Sequence, residues 1–290
     1  MISLALSILS SSLIYVVFKL LGKFEVYRLH ALIFNYLTAF LLGLSMQSNL
    51  SLSSFSEVYA QDWFFGAIFL GILFITIFNF MVITTQKSGL SVVSVASKMS
   101  LAIPVIFVII AYDEALNLGK LTGIILALVS VFLVSIKSKS LKIDYRNLIF
   151  PLIVFVGSGI IESSIKFFEN DYVAKSDVAI FSASIFLFAF ISGLIMLFSN
   201  RIHRQQKLLP KAVLGGICLG IPNYFSIYFF IKALGYEELS DSGIFIINNV
   251  SIVLLSTIIG ILAFRERLIV KNWIGIATAI VSLVLISLFN

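Results

Sequence analysis

Ten long apolar runs follow one another along this chain, and they constrain its fold more than any other feature. A helix needs about 20 mostly apolar residues to cross roughly 30 Å of hydrocarbon, and each run approaches that length. The runs are continuous, whereas the strands of a membrane β-barrel would alternate between apolar and polar residues. We therefore expect an all-α integral membrane protein whose spans cover residues 2–21, 29–46, 63–85, 90–112, 118–136, 147–168, 177–199, 212–235, 241–263 and 269–288. The first run lacks the basic start of a secretory signal and is expected to stay in the mature protein.

The few polar residues argue against several classes of function. Charged residues make up 12% of the chain, and its net charge of +6 comes from basic residues in short connections between spans. That placement is typical of membrane topology and does not indicate nucleic acid. Cys218 is the only cysteine, and His30 and His203 are the only histidines. No metal, other cofactor or enzymatic activity is therefore expected. The expected partners are the lipid bilayer and a small-molecule substrate, and no oligomeric state is predicted.

The second half of the sequence repeats the first. Residues 112–136 match residues 264–288 at an offset of 152. The matching polar and small residues are Glu114 with Glu266, Gly123 with Gly275, Ser130 with Ser282 and, at a slightly different offset, Lys19 with Lys166. Duplication of a five-helix segment explains this pattern. It predicts two repeats within one membrane domain, residues 1–140 and 141–290.

The charges in the loops predict an orientation. Because five is odd, the two repeats would cross the membrane in opposite directions. Loops after odd-numbered spans carry nearly all the basic residues, whereas loops after even-numbered spans carry only Lys120 and Lys175. Basic loops stay in the cytoplasm. The protein is therefore expected in the cell membrane (inner or plasma) as a multi-pass protein with both termini outside the cytoplasm. A reporter that fluoresces only in the cytoplasm should stay dark when fused to Asn290, and bright cells would contradict this orientation.

A recurring motif links the two halves to a known family. In each half an apolar helix leads through an acidic turn into a helix with a glycine near its start. The turns read Tyr112-Asp113-Glu114-Ala115-Leu116 and Phe264-Arg265-Glu266-Arg267-Leu268. With these turns, its ten spans and the lysines near the ends of spans one and six, the chain resembles the drug/metabolite transporter superfamily in its EamA-like ten-helix branch. Arg265 stands where the family usually has a glycine before the acid.

The resemblance implies a fold and a function. The fold would be two inverted five-helix repeats around a central substrate cavity, with spans five and ten at the periphery. The function would be secondary transport by alternating access: an exporter or exchanger of small polar or amphipathic metabolites, with proton coupling as an option. The sequence contains no G-x-x-x-x-G-K-[ST] loop, which agrees with transport that uses no nucleotide. The alternatives are a lipid-linked sugar flippase of the same superfamily and a non-transporting membrane scaffold.

Charged residues inside the spans are the first candidates for substrate binding. A charge at the centre of a span costs about 2.5–3.5 kcal/mol on insertion scales, so it usually faces a partner or water. Lys98 shares a helical face with Ser94 and is a candidate anion-binding group; the alternative is a structural buried pair. Glu162 and Lys166 lie four residues apart on one face of span six. They are candidates for binding a proton or a substrate carboxylate, and the alternative is an ion pair within the helix.

Uncharged polar residues give further candidates. Asn248 and Asn249 in span nine are candidates for reading polar groups of a substrate; hydrogen bonds between helices are the alternative. Asn223 follows Pro222 in span eight, where the chain either breaks to form a hinge or continues as a kinked helix. Weaker pocket candidates are Asn79 and Tyr15.

The two turn acids receive a structural interpretation. Glu114 and Glu266 precede the fifth and tenth spans. Because a carboxylate in the first turn of a helix is stabilised by the helix dipole, each acid is expected to stabilise the helix that follows it.

Overall fold

The computed structural model describes residues 1–46, 58–112, 116–136, 145–174, 176–199, 203, 205–234 and 241–289. Within these residues the fold is all-helical and contains no strand. The long helices are α1 (Ile2–Lys23), α2 (Arg28–Met46), α3 (Phe64–Ser88), α4 (Leu90–Met99), α5 (Ala102–Ala111), α6 (Leu118–Ser135), α7 (Tyr145–Asp171), α8 (Val178–Ser199), α9 (Pro210–Leu234), α10 (Asp241–Phe264) and α11 (Val270–Phe289).

The ten predicted spans are confirmed. Ten helical segments of the described chain are long and apolar enough to cross a membrane. Their boundaries agree with the predicted ones to within a few residues; the third, for example, extends to Ser88 instead of ending at residue 85. The length and composition of these helices identify a multi-pass membrane protein.

The hydrogen bonding of the fourth span changes in its middle. Helix α4 ends at Met99 and α5 begins at Ala102, but Ser100 and Leu101 between them keep right-handed helical φ and ψ angles, so Leu90–Ala111 is one span that contains a tight turn. In the eighth span the sequence left open a hinge or a kinked helix at Pro222, and α9 passes through Pro222 as one continuous helix.

Pro104 and Ser100 explain where this turn falls. Proline has no N–H to donate to the carbonyl four residues earlier, and its ring crowds that carbonyl, which here belongs to Ser100. The Ile103 N–H donates to the Ser100 carbonyl instead, at 2.9 Å. The Ser100 hydroxyl donates to the Ser97 carbonyl at 2.6 Å, so its side chain also takes part in the local hydrogen bonding.

The first of two compact units comprises Met1–Lys19, Phe80–Ile160 and Phe225–Asn290. Within it, α6 lies along α11, and α4 packs against α6, α10 and α11. Spans five and ten are thus direct neighbours, as are spans four and nine.

The contacts between α6 and α11 are reciprocal. A Cβ built on Gly123 would lie 2.7 Å from the Ile286 side chain, and one built on Gly275 would lie 2.7 Å from the Val134 side chain. An offset of 152 residues converts one contact into the other, because it maps Gly123 to Gly275 and Val134 to Ile286. The start of each helix meets the end of the other, so the two helices are antiparallel.

Asn272 joins the start of α11 to the end of α6. Its side-chain nitrogen, which carries two N–H donors, lies 3.2, 2.8 and 2.9 Å from the carbonyl oxygens of Leu133, Val134 and Ile136, and its side-chain oxygen accepts from the Ile269 N–H at 2.9 Å. The last carbonyls of a helix have no partner within that helix. Asn272 therefore supplies donors to carbonyls at the end of α6, of which that of Leu133 also accepts from the Ile136 N–H at 3.4 Å.

Asn272→Ala is expected to lower the free energy of unfolding by about 2–4 kcal/mol, because several buried groups lose their partner at once. Asn117→Ala is the matched control at the start of α6. The Asn117 side chain is exposed; it caps the Lys120 N–H at 2.8 Å and donates to the Phe289 carbonyl at 3.2 Å. Its loss should cost only about 1 kcal/mol. Thermal unfolding in detergent measures both, and equal shifts would contradict this assignment.

The second unit comprises Leu20–Asn79 and Ile161–Tyr224, and within it α2 packs against α8. Its glycine contacts are reciprocal too. Three glycines in the first half of the chain correspond to three in the second half, and the residues that they contact correspond too, at offsets of 147 to 150. A Cβ on the first glycine of each pair would contact one residue, and a Cβ on the second would contact the corresponding residue of the other half. The contacts are Gly71 to Phe188 and Gly220 to Thr38, Gly66 to Phe168 and Gly215 to Leu21, and Gly43 to Ala183 and Gly193 to Ile33.

Candidate functional site

The nine candidate residues divide between the two units. The first unit contains Tyr15, Ser94, Lys98, Asn248 and Asn249. The second unit contains the rest, namely Asn79, Glu162, Lys166 and Asn223. The first unit therefore brings together candidates from spans one, four and nine.

A set of polar side chains on α1 and α4 is here called the α1–α4 track, and the hydrogen bond between Tyr15 and Ser97 joins the two helices. Tyr15 is buried, and its hydroxyl donates to the Ser97 hydroxyl at 3.2 Å. Lys19 lies one turn later on the same face of α1 and donates to the Thr85 carbonyl at 3.3 Å. Ser94 is fully buried on α4, where its hydroxyl donates to the Ser91 carbonyl at 3.1 Å. We define the track as these residues together with Lys98.

Glu266 closes one end of the α1–α4 track. Its Oε1 accepts from the Leu90 N–H at 2.7 Å and lies 3.4 Å from the Lys19 ammonium, while the Ser91 hydroxyl donates to its Oε2 at 3.4 Å. The expectation that Glu266 stabilises the dipole of the helix that follows it is wrong. Its carboxylate stabilises the start of α4, which lies 176 residues earlier in the chain. Glu114, the matching acid, lies outside the described residues.

The backbone around Glu266 makes room for this carboxylate. A Cβ on Gly89 would lie 2.7 Å from the carboxylate oxygens, and a Cβ on Gly260 would lie 2.6 Å from one of them. Gly89 also has a φ of 108°, which a residue with a side chain rarely adopts. Arg265 has a φ of 52°, a left-handed conformation that favours glycine and directs Glu266 back toward α10.

Lys98 lies near the tight turn in the fourth span. It is half-buried, follows Ser97 directly and lies two residues before the turn at residues 100–101. A charged residue within a span is costly unless it faces a partner or water. The first unit thus contains a charged residue in the middle of a membrane span.

Asn248 and Asn249 are both 4% exposed, on α10. Helix α10 packs against α4 within the first unit. Among the described residues the side-chain oxygen of Asn248 has no hydrogen-bond partner. A buried acceptor without a partner costs about 1–3 kcal/mol, so it normally finds a water or a ligand.

The candidates of the second unit have different surroundings. Glu162 and Lys166 are both exposed on α7, and Asn79 is half-buried on α3. Asn223 is 3% exposed and donates to the side-chain oxygen of Asn35 at 3.2 Å. Asn223 therefore joins α9 to α2 by a hydrogen bond, an arrangement that the sequence raised as an alternative only for Asn248 and Asn249.

Both histidines of the chain lie next to Tyr27. The rings of Tyr27 and His30 are 4.9 Å apart, and the Tyr27 hydroxyl is hydrogen-bonded to His203 Nδ1. Burial raises the pKa of the Tyr27 hydroxyl, while the nearby Arg28 has a smaller, opposite effect. No group of three or more metal-ligating side chains occurs in the described part of the chain.

The pairing of Lys19 with Glu266 is the feature that the sequence analysis missed. The repeat contained a signal for it, because each half has one lysine in its first span and one turn acid before its last. Two lysines and two acids in matching positions could have suggested that each lysine meets the acid of the other half. The serine at position 97 was also missed, although it precedes Lys98.

Comparisons with known proteins support the fold and leave the activity open. No protein-family model matches the sequence. An uncharacterized protein of Haemophilus influenzae is 29% identical over 286 residues, which cover 94% of this chain and 93% of that protein. A protein of known crystal structure is 15% identical and superimposes with a TM-score of 0.54. The superposition covers 98% of this chain and 96% of that protein. The likeness at this low identity shows a shared fold over nearly the whole length.

Proposed function

We propose that this chain is a secondary transporter that moves small polar or amphipathic metabolites across the membrane by alternating access, as an exporter or exchanger. The α1–α4 track would contact the substrate, and the protein would belong to the EamA-like branch that its sequence resembles. One observation carries the proposal: a half-buried lysine, Lys98, lies in the middle of the fourth span, two residues before a tight turn of the helix. Charged residues within membrane spans usually face a substrate pathway, a partner or water.

The reciprocal contacts support an inverted duplication, which alternating access commonly uses. Four pairs of matching glycines make equivalent contacts, one pair in the first unit and three in the second. In the α6–α11 pair the two helices run antiparallel, as inverted repeats require. A scaffold protein would need neither this arrangement nor charges within its spans.

The polar groups in the first unit support a substrate with polar functions. Lys98 offers a positive charge, and Asn248 offers a buried acceptor without a partner among the described residues. Burying such groups in a membrane span costs free energy unless they bind a partner, water or a ligand, so their presence favours a substrate site over simple packing.

Transport by the purified protein in liposomes tests the proposal. The liposomes would be screened for uptake of amino acids and nucleotides at several pH gradients. The expected result is saturable uptake of at least one class, above that of liposomes without protein. If uptake depends on the pH gradient, Glu162→Gln should remove that dependence; if the dependence persists in this variant, Glu162 does not carry the proton. Wild-type protein that is indistinguishable from empty liposomes throughout would contradict the proposal.

A further inference from the structure

The contacts of Lys19 with its neighbours are long. Its ammonium lies 3.3 Å from the Thr85 carbonyl and 3.4 Å from Glu266 Oε1, and its side chain is 25% exposed. Ionic hydrogen bonds of this kind are usually about 2.7–2.9 Å long. Lys19 is therefore placed beside its partners without being tightly enclosed by them.

Glu266, in contrast, is fixed. Its carboxylate is 10% exposed, receives the Leu90 N–H at 2.7 Å, and fills the space left by Gly89 and Gly260. The short contact is to α4 and the long one is to Lys19. The carboxylate is thus held by its hydrogen bond to the start of α4 and interacts more weakly with the lysine. Lys19 can therefore move while Glu266 stays in place.

Together these contacts form a small anion site that the protein fills with its own carboxylate. The positive groups around it are the Lys19 ammonium and the first N–H of α4, and the Ser91 hydroxyl adds a donor. Arg265 and Arg267 flank Glu266 in the chain.

We infer that Lys19 is an anion-binding residue for the transported substrate and that Glu266 is its resting counterion. When substrate binds, the Lys19 ammonium leaves Glu266 and pairs with an anionic group of the substrate, a carboxylate or phosphate, while Glu266 stays bonded to the start of α4. Lys98 lies farther along α4: the eight residues from Leu90 to Lys98 correspond to about 12 Å of helix. That the bound anion is the transported substrate rests on the proposed function, but binding of an anion by Lys19 is tested without transport.

The test uses the charge of a thiol reagent as the probe. Cys218→Ser removes the only cysteine, and Ser91→Cys then places one thiol beside Glu266. The rate of modification is compared for an anionic reagent, sulfonatoethyl methanethiosulfonate, and a cationic one, trimethylammonioethyl methanethiosulfonate. Ser176→Cys, at an exposed position between α7 and α8, gives the intrinsic ratio of the two rates.

Three results are expected. With Glu266 present, Ser91→Cys reacts slowly with both reagents, because the carboxylate covers it. Glu266→Gln raises the rate of the anionic reagent at least tenfold and makes it faster than the cationic reagent relative to the control position. Adding Lys19→Met to Glu266→Gln returns the ratio to that of the control. Inorganic phosphate slows the anionic reagent in Glu266→Gln and has no effect once Lys19 is replaced.

An anion preference that is unchanged by Lys19→Met would overturn the inference, as would equal rates of both reagents in Glu266→Gln. Size-exclusion chromatography shows whether each variant is folded, and Lys19→Gln replaces Lys19→Met if that protein aggregates. The outcome is separate from transport. An anion preference in a protein that moves nothing in liposomes would retain the site and reject the proposed function, and the opposite pair of results would do the reverse.

Discussion

Lys98→Met is expected to abolish transport while the protein remains folded. Methionine keeps most of the length and apolar volume of the lysine side chain but removes its charge. Loss of a charged hydrogen bond to a substrate costs about 1.5–3 kcal/mol, which lowers transport by roughly 10- to 100-fold or more. Uptake into liposomes of a substrate found by the screen measures this, and the melting temperature in detergent reports the fold.

The melting temperature separates this account from the structural alternative. If Lys98 only formed a buried ion pair, its replacement would leave a charge without a partner and destabilise the protein by about 3–5 kcal/mol. Lys87→Met is the matched control, because it removes an equal charge from α3, where the ammonium lies over the Phe150 ring. The control should transport normally. Full activity of Lys98→Met would remove Lys98 from the site.

Gly220→Leu is expected to prevent folded protein from accumulating. A Cβ at this position would lie 2.6 Å from the Thr38 side chain and 2.7 Å from the Asn35 carbonyl oxygen. A backbone oxygen cannot turn aside as a flexible side chain can, so α9 and α2 must separate. Separation also breaks the hydrogen bond from Asn223 to Asn35. Overpacking alone costs about 1–3 kcal/mol, and the lost hydrogen bond adds to it.

Gly43→Ala provides the control in the same unit. Its Cβ would lie 3.8 Å from Tyr224 and 4.0 Å from Ala183, which is ordinary contact. Alanine also has a higher helix propensity than glycine by about 1 kcal/mol in soluble hosts. Size-exclusion profiles of fluorescent fusions should show a sharp peak for Gly43→Ala and little or none for Gly220→Leu. A wild-type peak and melting temperature for Gly220→Leu would mean that α2 and α9 do not approach each other closely.

Local features of the fold were predictable from the sequence, because a membrane span is defined by the length of one apolar run. The repeat was predictable for a similar reason. Glycines at matching positions, such as Gly123 and Gly275, make matching helix contacts, so the requirement for a small residue occurs once in each half of the sequence. The tight turn at residues 100–101 was harder to predict, since Pro104 and Pro222 look alike in sequence. A serine with a hydroxyl that bonds locally lies four residues before Pro104, and Cys218 occupies that position before Pro222.

The environment of Glu266 depends on distant contacts and could not be read from its own segment. The acid precedes α11, so the sequence suggested a role at that helix. Only the fold shows that Gly89 and Gly260 leave space for the carboxylate and that Leu90 supplies the N–H donor. Asn223 is a similar case, because its partner Asn35 lies 188 residues away. The sequence therefore identified polar residues of interest without indicating which of them were already paired.

Labelling of one buried position from each side of the membrane tests alternating access most directly. Ser94 is fully buried on α4, and Ser94→Cys in the Cys218→Ser protein places a single thiol in the α1–α4 track. A membrane-impermeant thiol reagent would be applied to right-side-out and to inverted vesicles. The account predicts that the thiol reacts from both sides, and that reaction from one side prevents reaction from the other. A thiol that reacts from one side only, or from neither, would contradict it.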